Sequence, residues 1–118
     1  MEAIRKIKLY SNRFLNFYSS QEPRIQRKIE FVLDLIRFEK NVPVKFFKKL
    51  QGTNDIYEIR VMTTFKSIRI LCFFDAGNLI VLTNCFVKKS QKTPVNEIKL
   101  AERLKNEYMA SSPGGKIS

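Results

Sequence analysis

No histidine occurs anywhere in the 118 residues. That absence excludes Ser-His-Asp and Cys-His nucleophile arrangements, His-based metal sites and any His acid–base pair. Proton transfer by this chain must use Lys, Arg, Glu, Asp, Tyr or water. Cysteine is nearly absent too, with only Cys72 and Cys85. Both lie inside apolar runs, where a small buried side chain is the ordinary reading, and two ligands alone do not make a structural zinc site. No metal or other cofactor is therefore expected, and a reducing, cytoplasmic setting fits. Gly and Pro number 4 each, too few for a disordered chain. No apolar run approaches the roughly 20 residues that span a bilayer. The segment Met1-Glu2-Ala3-Ile4-Arg5-Lys6 lacks the apolar block of a signal peptide, so no membrane role is expected. Acidic residues are the remaining shortage: 11 Asp and Glu stand against 22 Lys and Arg, a net charge of +11. That imbalance favours nucleic acid, an anionic surface or an acidic protein as partner.

The chain is organised around residues 56–89. Three apolar runs, Ile56–Val61, Ile68–Phe74 and Leu79–Val87, are rich in Ile, Val and Phe and bounded by turn residues. They read as strands, the last two joined by Asp75-Ala76-Gly77-Asn78. Alternation puts Tyr57, Ile59 and Val61 on one side of the first strand and Glu58 and Arg60 on the other. The second strand likewise separates Ile68, Ile70, Cys72 and Phe74 from Arg69, Leu71 and Phe73. The third is apolar on both sides until Asn84, as an interior strand would be, and it ends in Lys88-Lys89. A sheet carrying cations from different strands on one accessible face is a natural phosphate-binding surface.

Around this sheet the pattern predicts a scaffold. Ala3–Tyr10 alternates and reads as a first strand. Ser11 and Asn12 can cap a short helix over Arg13–Tyr18. A second helix starts at Pro23, with Ile25, Ile29, Val32, Leu33 and Ile36 as its core stripe, and Asn41-Val42-Pro43 ends it. Residues 44–52 read as a connecting loop anchored by Phe46 and Phe47. Thr93 caps a C-terminal helix beginning at Pro94, with Ile98, Ala101, Leu104, Lys105 and Tyr108 along one face. The expected architecture is α+β: an N-terminal strand and two helices packed on a mainly antiparallel twisted sheet, with a C-terminal helix. One domain spans 1–110, and 111–118 reads as a flexible tail.

The ordered features, Leu50-Gln51-Gly52, then Tyr57-Glu58-Ile59-Arg60-Val61, then Ile68-Arg69-Ile70-Leu71, and finally Cys85-Phe86-Val87-Lys88-Lys89-Ser90-Gln91-Lys92-Thr93-Pro94, resemble the phage-derived, HigB-like branch of the RelE/ParE toxin superfamily. The Phe-x-Lys-Lys-x-x-Lys-Thr-Pro run leading into a helix is the most specific part. The resemblance implies a small RelE/ParE-like fold and the toxin of a type II toxin–antitoxin system. It implies a ribosome-dependent endoribonuclease that cuts mRNA, with mRNA, the ribosome and a HigA-like helix-turn-helix antitoxin as partners. By the same resemblance Arg60 and Arg69 hold the scissile phosphate, Lys88 and Lys89 form the basic pair after the last strand, and Lys92 belongs to that motif. Many relatives carry His or Gly where Asn84 and Cys85 stand, and some use His or Asp in catalysis.

Without a metal, such an enzyme lets the RNA 2′-OH attack its own phosphate. The protein must then aid its deprotonation, stabilise charge on phosphorus and protonate the leaving 5′ oxygen. Arg60 and Arg69 suit the middle task, because the guanidinium stays charged and forks onto phosphate oxygens; pairing with Glu58, Asp55 or Asp75 is the plainer alternative. Lys89 is the candidate proton donor. Glu58 is either the base or the group that orients Arg60. Lys45, Lys48, Lys49 and Lys66 read as a grip on ribosomal RNA or as a solvated face. Phe73, Phe86 and Tyr108 are candidates for base stacking, though each suits the core as well. Two rival functions share these residues: a non-nuclease toxin of the ParE type acting on gyrase, and a basic nucleic-acid-binding module without catalysis.

Overall fold

A computed structural model of the chain describes residues 2–111. Strands β1 (Lys6–Leu9), β2 (Phe47–Lys49), β3 (Tyr57–Met62), β4 (Ser67–Asp75) and β5 (Leu79–Val87) form one sheet in the order β1-β5-β4-β3-β2. The β2–β3, β3–β4 and β4–β5 pairs are antiparallel, and β1 lies parallel to β5. Helices α1 (Arg13–Ser19) and α2 (Pro23–Phe38) cover one face of this sheet, and α3 (Val95–Ser111) packs on the other. The α+β architecture expected from the sequence is the one observed.

Each face has its own core. Against α1 and α2 pack Ile59 and Val61 of β3, Ile68, Ile70 and Cys72 of β4, and Ile80 and Leu82 of β5. The stripe Ile25, Ile29, Val32, Leu33 and Ile36 of α2 is buried against them, as its helical spacing requires. On the other face Leu71, Phe73 and Val81 pack with Ile56 and with Ala101 and Tyr108 of α3. Burial pushes the Cys85 thiol up to about 12, with Glu97 adding to the effect, and raises that of Cys72 further. Both cysteines are free, and their protonated thiols act as small core groups.

Several boundaries differ from the sequence reading. The first strand shrinks to the four residues of β1. Helix α2 stops at Phe38, where Glu39 turns extended, before the Asn41-Val42-Pro43 stop signal is reached. The stretch read as a loop contains β2, a three-residue edge strand. An edge strand this short, carrying Lys48 and Lys49, has too few residues to show a period of two and too much charge to invite a further strand. Pro94 is not the first helical residue: its carbonyl accepts the amides of Glu97 and Ile98, and α3 starts at Val95. Ser111 still belongs to α3, and the rest of the expected tail, 112–118, lies outside the described residues.

Ile29 is fully buried between α2 and the sheet. Ile29→Ala is expected to lower unfolding free energy by about 2–5 kcal/mol, read as a shift in the denaturation midpoint.

Candidate RNA-binding cleft

A break in β5 decides which side chains meet on the α3 face. Cys72 opposes Leu82, but Ile70 opposes Cys85, so β5 carries one residue more than β4 across this interval. That bulge reverses the alternation of β5. Before it, Ile80 and Leu82 face α2; after it, Cys85 faces α2 and Phe86 faces α3. The inserted segment is held by Thr83, whose hydroxyl donates to the Leu71 carbonyl at 2.9 Å. Asn84 is buried and donates from Nδ2 to Oε1 of Glu97 at 2.9 Å and to the Glu97 carbonyl at 3.2 Å, fastening the first turn of α3.

Arg60 and Arg69 are direct cross-strand partners on β3 and β4. Like charges in that position repel. Glu58, two residues before Arg60 and on the same side of β3, lies between them. Its Oε1 accepts from Arg60 Nε at 3.0 Å and stands 3.6 Å from Arg69 Nε. Its Oε2 accepts from the Thr93 hydroxyl, which ties the segment before α3 to the sheet. Glu58 is fully buried. Both carboxylate oxygens are thus engaged by protein groups, and neither faces solvent.

The guanidinium groups differ in what they leave free. Arg69 is nearly buried; its Nη1 donates to the Ile68 carbonyl at 3.1 Å and contacts Met62 Sδ at 3.4 Å. Its Nε is buried without a hydrogen bond. Burial works against its charge and Arg60 adds to this, while Glu58 opposes both. Arg60 is about one-quarter exposed and holds Glu58 through Nε, and its terminal nitrogens make no hydrogen bond among the described residues.

The lysines sort themselves around this pair. Lys88 is half-buried, and burial followed by the charge of Arg69 holds its ammonium below the usual lysine range; Arg60 and Lys48 act in the same direction and Glu58 against them. Lys48 opposes Glu58 in the β2–β3 register, so it shares the Glu58 side of the sheet. Ser67, Arg69, Lys88, Lys89, Ser90 and Gln91 line one open cleft. Arg60, Arg69, Lys48, Lys88 and Glu58 are therefore brought together, with the exposed Lys89 at the rim.

Other candidates fall elsewhere. Lys49 pairs with Asp55 at 2.8 Å on the β2–β3 connection. Lys45 lies over the Phe46 ring, and Lys66 donates to Gln21 Oε1 at 2.8 Å, beside α1 and α2. Lys92 is exposed on the segment leading to α3. Asp75, a possible partner for the arginines, instead accepts from the Tyr108 hydroxyl at 2.7 Å. Phe73 and Tyr108 are buried in the α3-side core, and Phe86 packs against it, so none is presented as a stacking surface.

Two placements escaped the sequence reading. Thr93 looked like a helix cap because it precedes Pro94, yet its hydroxyl goes to Glu58. Lys48 was expected in a grip on ribosomal RNA or on a solvated face; its position beside Glu58 follows only from the pairing of β2 with β3. Removing the carboxylate leaves two opposed guanidinium groups without their shared partner. Glu58→Gln is expected to cost about 3–5 kcal/mol of stability and Thr93→Val about 1–2 kcal/mol, both measured by denaturant unfolding.

Comparison with known proteins adds a family. No curated protein matches the chain. The family described as "Phage derived protein Gp49-like (DUF891)" matches residues 16–106, a span that runs from α1 through the cationic cleft into α3. The chain accordingly belongs to the Gp49-like family, a RelE/ParE-type toxin family associated with toxin–antitoxin pairs, for which a cognate antitoxin is the implied partner.

Proposed function

We propose that the protein is an endoribonuclease toxin that cuts mRNA on the ribosome through attack of the RNA 2′-OH on the adjacent phosphate. One observation carries the reading: four cations from β2, β3, β4 and the end of β5 gather around a single buried carboxylate. The surplus positive charge suits a phosphodiester and the further charge it gains on the way to a pentacoordinate transition state. Arg69 and the terminal nitrogens of Arg60, which no protein group occupies among the described residues, hold the non-bridging oxygens. The same field favours the ionised 2′-oxygen, so its proton can pass to solvent water and a strong protein base is not required; the O2′–P bond forms as the P–O5′ bond breaks.

Glu58 is assigned a positioning role. It is buried with both oxygens engaged, which removes it from reach of the 2′-OH and makes it the group that aims Arg60 and neutralises the pair. Lys88, not Lys89, is assigned as donor to the leaving 5′ oxygen. Its ammonium sits beside Arg69 with a depressed pKa, and a weaker hold on the proton makes a better acid near neutrality. Lys48 and Lys89 hold neighbouring phosphates, and exposed Lys45 and Lys92 contact ribosomal RNA. Lys49 and Lys66, each engaged by a protein partner, do less of this work. The ribosome supplies the mRNA geometry, since positioning alone removes several kcal/mol of barrier. The antitoxin is taken to be a helix-turn-helix protein.

The test is a ribosome-programmed reaction with purified protein, with cut sites mapped on the mRNA. Arg69→Ala is expected to slow cutting by about 10²–10³-fold. Lys88→Arg keeps the charge but withholds the proton, and is expected to slow cutting by about 10²–10⁴-fold. As pH rises through the lowered Lys88 pKa the donor is lost, so the rate should begin to fall at a pH below the 10.5 of an unperturbed lysine. Unchanged cutting by Arg69→Ala defeats the proposal. Intact mRNA with DNA-damage signalling in expressing cells indicates the gyrase-directed alternative. Efficient cutting of naked mRNA removes the ribosome requirement alone.

A further inference from the structure

The connection between β3 and β4 is tightly built and ends in an unpaired aromatic ring. Thr63 Oγ1 accepts the Lys66 amide at 2.8 Å and the Phe65 amide at 3.3 Å, and the Thr63 amide donates to the Lys66 carbonyl at 2.9 Å. Lys66 Nζ then reaches across to Gln21 and pins the turn to the α1–α2 junction. Out of this turn stands Phe65, which is 78% exposed, more than any other large apolar residue among those described. A phenyl ring held in water on a stiff turn has no role in the core.

Phe65 walls a groove shared with Met62, Thr64 and the start of α2, where Arg24 and Lys28 supply positive charge. Glu22 also lines it and pairs with Arg24 at 3.5 Å. The groove adjoins the cationic cleft through one residue. Met62 Sδ lies 3.4 Å from Arg69 Nη1 and 3.3 Å from Ser67 Oγ, and both Arg69 and Ser67 line the cleft. A strand whose phosphate sits on Arg69 therefore has, one step along, an exposed aromatic face flanked by cations. That combination fits a nucleobase, because aromatic rings stack bases while cations follow the backbone.

We propose that this groove is the subsite for a nucleobase next to the scissile phosphate, with Phe65 as its stacking platform. The inference rests on the nuclease reading above, and its test separates the two. Phe65→Ala, Phe65→Leu and Phe65→Tyr are compared with the unsubstituted protein in ribosome-programmed cleavage, and each is checked for an unchanged denaturation midpoint. Stacking predicts that Ala and Leu slow cutting about tenfold and alter the pattern of cut sites, while Tyr restores both. A Leu variant as active as the native protein, or an Ala variant with unchanged rate and sites, overturns the subsite and leaves the nuclease reading standing. Loss of neutralisation by the antitoxin with undiminished cleavage by Phe65→Ala assigns the groove to a protein partner and also overturns it. Absence of cutting by the unsubstituted protein defeats both proposals.

Discussion

Two guanidinium groups placed opposite each other on adjacent strands repel, and burial strengthens the repulsion by removing the water that screens it. Arg60 and Arg69 occupy such positions, and the sheet tolerates them because Glu58 lies between them. The carboxylate is fully buried, which is costly for a charge unless partners surround it. Here the partners are the same arginines together with the Thr93 hydroxyl. Each group makes the others possible: the arginines need the carboxylate, and the carboxylate needs them and the segment that leads into α3.

This dependence explains how a weakly apolar helix stays in place. Among the described residues α3 contributes only Ala101, Leu104 and Tyr108 to the buried set. Polar contacts supplement that packing at both ends. Near its start Thr93 meets Glu58 and Asn84 meets Glu97; towards its end Tyr108 donates to Asp75 and receives Lys8 Nζ at 3.1 Å. In a chain with so few carboxylates, Glu58, Asp75 and Glu97 are all placed where α3 joins the sheet. Helix placement and cleft geometry therefore share an origin, and loosening the start of α3 would loosen the support of Arg60.

Much of the architecture was legible in the residues because it depends on period. The stripe of α2 and the long runs of β3, β4 and β5 bury in the pattern their spacing implies. The pairing of Arg60 with Arg69 on one side of the sheet was legible for the same reason. What could not be read depends on relations between distant segments. β2 is recognisable only through its pairing with β3, since three residues show no alternation. Thr93 carries the sequence signature of a cap, and only the folded chain shows Glu58 competing for its hydroxyl. The burial of Glu58 was equally invisible, because a glutamate alternating with buried residues normally faces water. Resemblance in motif pointed to both Lys88 and Lys89, but alternation alone could not choose between them.

The bulge in β5 makes that choice. Were the same residues to continue past Leu82 in unbroken alternation, Cys85 would oppose Arg69, Phe86 and Lys88 would turn towards α2, and Val87 would take the place of Lys88. Lys89 would then be the lysine on the Arg69 side, one pair farther along. A single extra residue in this strand thus acts as a chemical parameter in its own right: it decides which ammonium reaches the cleft while every cation in the sequence stays the same.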